Sequence, residues 1–356
     1  MRVVERKVMD PDEIQRILIR GVNWVGDAVM TTPAIAGIRK TFPRAKISLL
    51  VKPWVAGVFE GSPDIDEILI YDQEGRHGGL SGLLRLAREL EGCRFDLAIL
   101  LQNAFEAGLL AFLARIPHRI GYNTHGRGVL LTTMVVRDRS TRGLHHVDYY
   151  RALLGMLGWT EGEREPRLYL SPGAEERVEA LFGEERVRPE EALVAFNPGS
   201  TYGSAKGWPA DRYAALADRL VEELGVRVLL TGAHADGAVA RAVRSITRYP
   251  ERVIDLTGRT DIQLLAAVLK RSAVFVTNDT GGMHIGAAVG VPVVAIFGPT
   301  DPKTTSPVGP HLLLRHPVSC SPCLLRECPI DHRCMTGISV EKVLSCVIEN
   351  YTKKLK

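Results

Sequence analysis

Residues 273–299 read AVFVTNDTGGMHIGAAVGVPVVAIFGP. A β-branched apolar run ends in Asn278-Asp279-Thr280-Gly281-Gly282, a small-residue stretch runs to Gly290, and a second apolar run fills 291–297. The pattern predicts a strand, a glycine-rich turn, a helix and a second strand parallel to the first. Parallel strands need a crossover, so this unit commits the chain to an α/β sheet covered by helices on both faces. The first turn of such a helix presents backbone N–H groups where the helix dipole favours negative charge, and phosphate is its natural guest. The polar residues fall at the carboxyl end of a buried strand, where open α/β sheets bind ligands.

The same rhythm fills the chain. Strands are expected at 17–20, 47–51, 68–71, 97–101 and 119–122, with helices at 33–41, 83–90, 105–114 and 146–157 between and after them. A polar stretch with glycine and two prolines, 158–172, is the linker candidate. Strands then return at 193–196, 226–231, 253–256 and 274–277, with helices at 210–224, 235–247 and 262–269. The reading is two doubly wound domains, 1–165 and 166–335. A last helix within 336–356 is expected to pack back towards the first domain. A length of 356 residues suits two domains, each with a core of its own.

A net charge of +4 is too mild to argue for nucleic acid and compatible with an anionic substrate. No window approaches the apolar length of a membrane span. Residues 1–17 lack the apolar core of a secretory signal, so a cytoplasmic chain with at most peripheral membrane contact is expected. Four of the six cysteines, Cys320, Cys323, Cys328 and Cys334, follow the spacing C-x2-C-x4-C-x5-C. Only the first pair has the tight spacing of a zinc knuckle. A structural metal, a disulfide or redox pair, and unliganded thiols in a compact loop all fit it.

Three segments carry candidate chemistry. After the first strand comes Gly21-Val22-Asn23-Trp24-Val25-Gly26-Asp27, with Asp27 at the start of a helix. It is either a helix cap or a general base, and the two roles are compatible. After the first strand of the second domain, residues 197–209 read NPGSTYGSAKGWP. No Walker motif threads through them, yet hydroxyls, backbone N–H groups and the Lys206 ammonium can hold phosphate; the alternative is a solvated lysine. The third segment is residues 279–284, where His284 either reaches a phosphate from the helix's first turn or packs away. Asp64-Ile65-Asp66 looks like the metal-binding D-x-D of some sugar transferases, but it follows Pro63 and leads into a strand, so a turn is expected.

NWVGDAVMTTPAI at 23–35, RIPHRIGY at 115–122, NPGSTYGSAKGWP at 197–209, and TNDTGGMH through FGPTDP within 277–302 resemble glycosyltransferase family 9, the lipopolysaccharide heptosyltransferases. The resemblance covers nearly the whole chain and is nearest to heptosyltransferase II. It implies a GT-B architecture, two Rossmann-like domains facing across a cleft, with acceptor on the N-terminal side and ADP-heptose on the C-terminal side. It implies an inverting transfer of heptose to the growing lipopolysaccharide inner core, without a catalytic metal or other cofactor. The acceptor would be a lipid A-core glycolipid at the inner-membrane surface. By motif, Asp27 would deprotonate the acceptor hydroxyl and Lys206 would neutralise the leaving diphosphate. Ser200, Thr201, Asp279, Thr280, Gly281 and His284 would hold the donor. Asn23, Trp24, Gly26, Asn103 and Arg119 are the acceptor-side candidates, with Arg127, Arg137 and Arg142 as further basic residues. Gly282 stands where some members carry a larger residue, and the cysteine cluster is foreign to the family's catalytic pattern. A different family 9 acceptor, a nucleotide-sugar epimerase or hydrolase, and a non-catalytic nucleotide-sugar sensor are the competing readings.

Overall fold

Continuous apolar runs become strands covered on both faces. Leu-Ala-Ile-Leu and Val-Val-Ala-Ile-Phe are each buried at every position, which only a sheet with helices on both sides permits. The computed structural model describes the chain except Val8, Arg139, Ser140, Arg142, Thr201, Leu355, Lys356 and the side chain of Lys354. It divides into two units, Met1–Tyr169 and Leu170–Lys356.

The first unit contains β1 (Arg2–Glu5), β2 (Arg16–Arg20), α1 (Val25–Thr41), β3 (Lys46–Val51), α2 (Pro53–Ala56) and β4 (Glu67–Ile70). They are followed by α3 (Gly79–Gly92), β5 (Leu97–Leu100), α4 (Phe105–Leu113), β6 (His118–Tyr122), β7 (Thr133–Val136) and α5 (His146–Met156). The sheet order is β1-β7-β6-β5-β2-β3-β4. All pairs are parallel except β1 with β7. The order reverses between β2 and β5, so the loops after these two strands flank the topological switch point.

Helix α1 begins at Val25, eight residues before the expected start, because Pro33 is accommodated inside it. Proline cannot donate to the Val29 carbonyl one turn back. The Thr32 hydroxyl does so instead, at 2.9 Å. Helix α5 packs on α1, and the loop after α5 comes close to α1 where glycines allow it. A Cβ at Gly37 would lie 2.3 Å from the Thr160 carbonyl oxygen, and one at Gly162, whose φ is +77°, would lie 2.2 Å from that of Pro33.

The second unit contains α6 (Ala174–Glu184), β8 (Leu193–Asn197), α7 (Ala210–Leu224), β9 (Arg227–Leu230), α8 (Gly237–Ile246), β10 (Val253–Asp255) and α9 (Ile262–Arg271). Then come β11 (Val274–Asn278), α10 (Gly281–Ala288), β12 (Val293–Phe297), α11 (Pro302–Thr305), β13 (His311–Arg315), α12 (Arg333–Thr336) and α13 (Val340–Lys354). Its sheet, β10-β9-β8-β11-β12-β13, is wholly parallel and reverses between β8 and β11. The helix expected to pack back towards the first domain, α13, lies on α7, β11 and β12 of its own unit. Its Val343, Leu344 and Val347 join the core cluster there with Trp208, Tyr213 and Met335. Each such buried aliphatic side chain contributes about 1.5–3 kcal/mol.

Candidate active site

In the first unit, the loop after β2 delivers Asp27 on the first turn of α1. The cap position belongs to Trp24, not Asp27, and Trp24 makes no side-chain cap bond. The aspartate has a different partner. His146, the first residue of α5, sits with Nδ1 3.0 Å from Asp27 Oδ1, and the two side chains are 41% and 25% exposed. A carboxylate only accepts, so Nδ1 carries the proton and donates. Oδ2 of Asp27 remains for a second donor. The α1–α5 crossing sets this geometry, and His145 starts α5 by accepting the Val147 N–H. Tyr150, one turn further along α5, is buried, and burial followed by the nearby Asp27 charge holds its phenol well above the usual tyrosine range.

Around this dyad the sequence candidates divide. The Asn23 Oδ1 accepts from the Arg20 guanidinium at 3.1 Å, and the Asn23 carbonyl accepts from Trp54 Nε1 at 2.8 Å. Trp24 and Trp54 stand exposed beside them, offering flat faces of the kind sugars and lipid-linked groups pack against. Lys52 is buried, with Nζ 3.4 Å from the Tyr71 ring centroid and 2.5 Å from Gln73 Oε1. Burial, then the Arg20 charge, brings its ammonium down to about 8. Asn103 is tied inward, its amide oxygen accepting from Thr124, Arg127 and Tyr149. Arg119 is spent on the carbonyls of Leu130 and Ile116. Arg127 is buried and donates to the carbonyls of Tyr122, Gln102 and Leu100. These arginines brace the end of the sheet; an acceptor phosphate would meet them already occupied. Arg137 is exposed, beside the Tyr149 ring, and Arg142 lies outside the described residues.

In the second unit, the loops after β8, β11 and β12 converge at the switch point. Lys206 Nζ lies 2.7 Å from Asp279 Oδ2, with side-chain exposures of 13% and 7%. The same carboxylate oxygen accepts from the Thr300 hydroxyl at 2.8 Å. Lys206 also lies 4.9 Å from the Tyr202 ring centroid. Asn278 laces the lysine loop to the sheet: its Nδ2 donates to the carbonyls of Pro198 and Gly199, and its Oδ1 accepts from Trp208 N–H and Tyr213 Oη–H. Buried Trp208 closes the loop, donating from Nε1 to the Ile338 carbonyl at 3.0 Å. Helix α10 starts beside Lys206 and Asp279. Thr280 caps it with extended backbone but no side-chain hydrogen bond, so the first-turn N–H groups are not taken by a capping side chain. Gly282 lies close to the loop after β8: a Cβ there would come within 2.8 Å of Asn197 Nδ2, so the Asn197 side chain would have to shift. His284, also in the first turn, is buried. Ser200 donates to the Gly203 carbonyl at 2.6 Å, and Thr201 lies outside the described residues.

A sequence profile of Glycosyltransferase family 9 (heptosyltransferase) matches residues 83–333. Lipopolysaccharide heptosyltransferase 2 of Salmonella typhimurium is 30% identical over 304 residues, 82% of this chain and 85% of that protein. The chain belongs to glycosyltransferase family 9. Solved structures agree: a family 9 glycosyltransferase from Veillonella parvula superposes with a TM-score of 0.87 at 25% identity, covering 98% of this chain and all of that one. Escherichia coli ADP-heptose lps heptosyltransferase II gives 0.80 at 26% identity, covering 96% and 100%. The chain is thus a glycosyltransferase built of two parallel-sheet units of the GT-B class.

Within this family 9 chain the other sequence candidates resolve as structure. Asp66 accepts from the Ile47 N–H at 2.7 Å and from Arg39, fastening the turn that enters β4. Among the described residues no three His, Cys, Asp or Glu side chains stand as a ready-made metal site. The six cysteines are free thiols in this structure. Sequence reasoning missed His146, Asn278 and Thr300. Their partners lie 119, 80 and 21 residues away, and no local pattern announces them.

Proposed function

We propose that the chain transfers heptose from ADP-L-glycero-D-manno-heptose to the heptosyl-Kdo2-lipid A inner core of lipopolysaccharide, with inversion at the anomeric carbon. The observation that carries this reading is the Lys206–Asp279 pair, 2.7 Å apart, at the first turn of α10 beside the switch point of the second sheet. A diphosphate laid on that turn meets backbone donors and an ammonium together. Asp279 is an anion and does not ligate phosphate; its work is to hold Lys206 and to accept from sugar hydroxyls. The names of the curated relatives, lipopolysaccharide or lipooligosaccharide heptosyltransferase 2, support the donor sugar and the acceptor class.

The step needs one base and one charge sink. Oδ2 of Asp27 takes the proton of the acceptor hydroxyl, while His146 holds Oδ1 and thereby fixes the carboxylate plane. The hydroxyl oxygen bonds to the anomeric carbon as that carbon's bond to the diphosphate oxygen breaks, through an oxocarbenium-like state. ADP leaves carrying the negative charge. Lys206 and the α10 turn stabilise that charge as it develops, and no divalent ion takes part in the proposed step. In-line attack inverts the centre.

Trp24, Trp54 and Asn23 are the proposed acceptor contacts. Peripheral association with the cytoplasmic face of the inner membrane would follow from a lipid-linked acceptor; no helix among the described residues is long and apolar enough to cross a membrane. The test is incubation with ADP-heptose and a panel of truncated lipid A-core acceptors, read by mass spectrometry. One added heptose on the heptosyl-Kdo2 acceptor is expected. Release of free heptose with every acceptor unchanged would overturn the transferase reading of this site.

A further inference from the structure

The transfer chemistry leaves the 320–334 segment unused, and its side chains are oddly placed for a passive loop. Cys320 and Cys323 are exposed, Cys328 is half-buried and Cys334 is buried, so the four are not simply core residues. All four line one small, partly open cavity of about 20 Å³, together with Ala205, Pro299, Asp331, His332 and Arg333. That volume suits a single water-sized occupant. The His332 backbone N–H donates to Cys328 Sγ at 3.3 Å, while the Arg333 guanidinium is paired with Asp331 at 2.6 Å.

We propose that Cys320, Cys323, Cys328 and Cys334 bind one thiophilic transition-metal ion, zinc or ferrous iron, in a tetrahedral four-sulfur site. The C-x2-C knuckle supplies two ligands from one turn, and the later cysteines close the shell. The sulfurs do not already form a coordination shell. Binding draws the irregular 320–330 segment around the ion and releases the thiol protons to solvent.

The same segment holds the lysine loop. The Ala205 N–H donates to the Arg326 carbonyl at 3.0 Å, and His332 Nε2 donates to the Ala205 carbonyl at 2.7 Å. Tyr202 Oη donates to the Leu324 carbonyl at 3.2 Å, while Arg326 stacks on the Tyr202 ring. On the other side, the Leu324 N–H donates to the Pro299 carbonyl and Ser321 Oγ to that of Gly298, next to the Thr300 that bonds Asp279. The ion therefore fixes the backbone on both sides of Lys206 and Asp279. This coupling rests on the donor-site reading above; the ion itself does not.

The experiment is metal analysis of the untagged chain, purified under reducing conditions from medium containing zinc and iron. About one ion per chain is expected, falling below about a tenth of an ion in the Cys320→Ser/Cys323→Ser variant. ADP binding by that variant weakens roughly tenfold as the loop loses its anchor. Cobalt(II) titration of chelator-stripped wild-type protein needs no variant to fold, and tetrahedral thiolate–cobalt bands saturating near one equivalent are expected. A folded wild-type chain with no bound ion and no such bands overturns the site. An ion present in the wild type and lost in the variant, with ADP affinity unchanged, overturns the coupling alone.

Discussion

Replacing Lys206 with methionine keeps the length of the side chain and removes its charge. A unit charge about 4 Å from the departing diphosphate contributes roughly 4 kcal/mol at an effective dielectric near 20. The ammonium is already committed to Asp279 at 2.7 Å, so roughly half of that remains for the transition state, about 2 kcal/mol or some 30-fold in kcat. The variant also strands a nearly buried carboxylate that, among the described residues, keeps the Thr300 hydroxyl as its side-chain donor. Breaking a buried pair in this way costs about 3 kcal/mol, which lowers the Tm of a unit this size by about 6–12 °C. Adding Asp279→Asn removes the stranded charge, so the double variant should recover most of the stability and none of the turnover. The assay is ADP release at saturating donor and acceptor, with ADP affinity measured separately by calorimetry. A kcat within threefold of wild type would refute the reasoning, because Lys206 would then be at most a ground-state anchor.

Four further outcomes follow from the same geometry. Asp27→Asn should lower kcat by about 10²–10⁴ with ADP affinity unchanged, checked by turnover and calorimetry side by side. His146→Ala should cost roughly tenfold in kcat with little change in donor KM; an unaltered pH–rate profile would remove His146 as the residue that orients the base. Gly282→Ala pushes a Cβ to within 2.8 Å of Asn197 Nδ2; a destabilisation of about 1–3 kcal/mol by urea unfolding is expected, with weakened ADP binding. Lys52 titrates near 8 in the folded chain and near 10.4 unfolded. Between these values the unfolded chain binds more protons, so wild-type stability should rise with pH relative to Lys52→Met, by at most about 3 kcal/mol. Urea midpoints of the two proteins at pH 7, 8, 9 and 10 test it.

The alternating architecture was legible because strands covered on both faces must be apolar throughout, and glycine or proline punctuates them. Residues 97–100 and 293–297 announce themselves in this way. The edge was less legible: β1 and β7 are four residues each, and β7 opens on a threonine that follows another, which reads as loop. Pro33 misled the reading of α1, since a proline ordinarily marks a first helical position, and only the Thr32 hydroxyl reveals how an interior one is carried. Of the proposed site, Asp27 and Lys206 were picked out from their positions after strands. The partners that give them geometry were not, because an ion pair across 73 residues and a His–Asp contact across 119 belong to tertiary packing. Arg119 and Arg127 carry tertiary bonds that were equally invisible. A basic residue in a polar stretch looks available for a phosphate, yet these two are consumed by carbonyls at the end of the sheet.

A crystal structure of the chain soaked with ADP tests the central claim most directly. The account predicts the β-phosphate within about 3.5 Å of Lys206 Nζ and of the first-turn N–H groups of α10. ADP bound away from that turn, with the Lys206–Asp279 contact undisturbed, would contradict it.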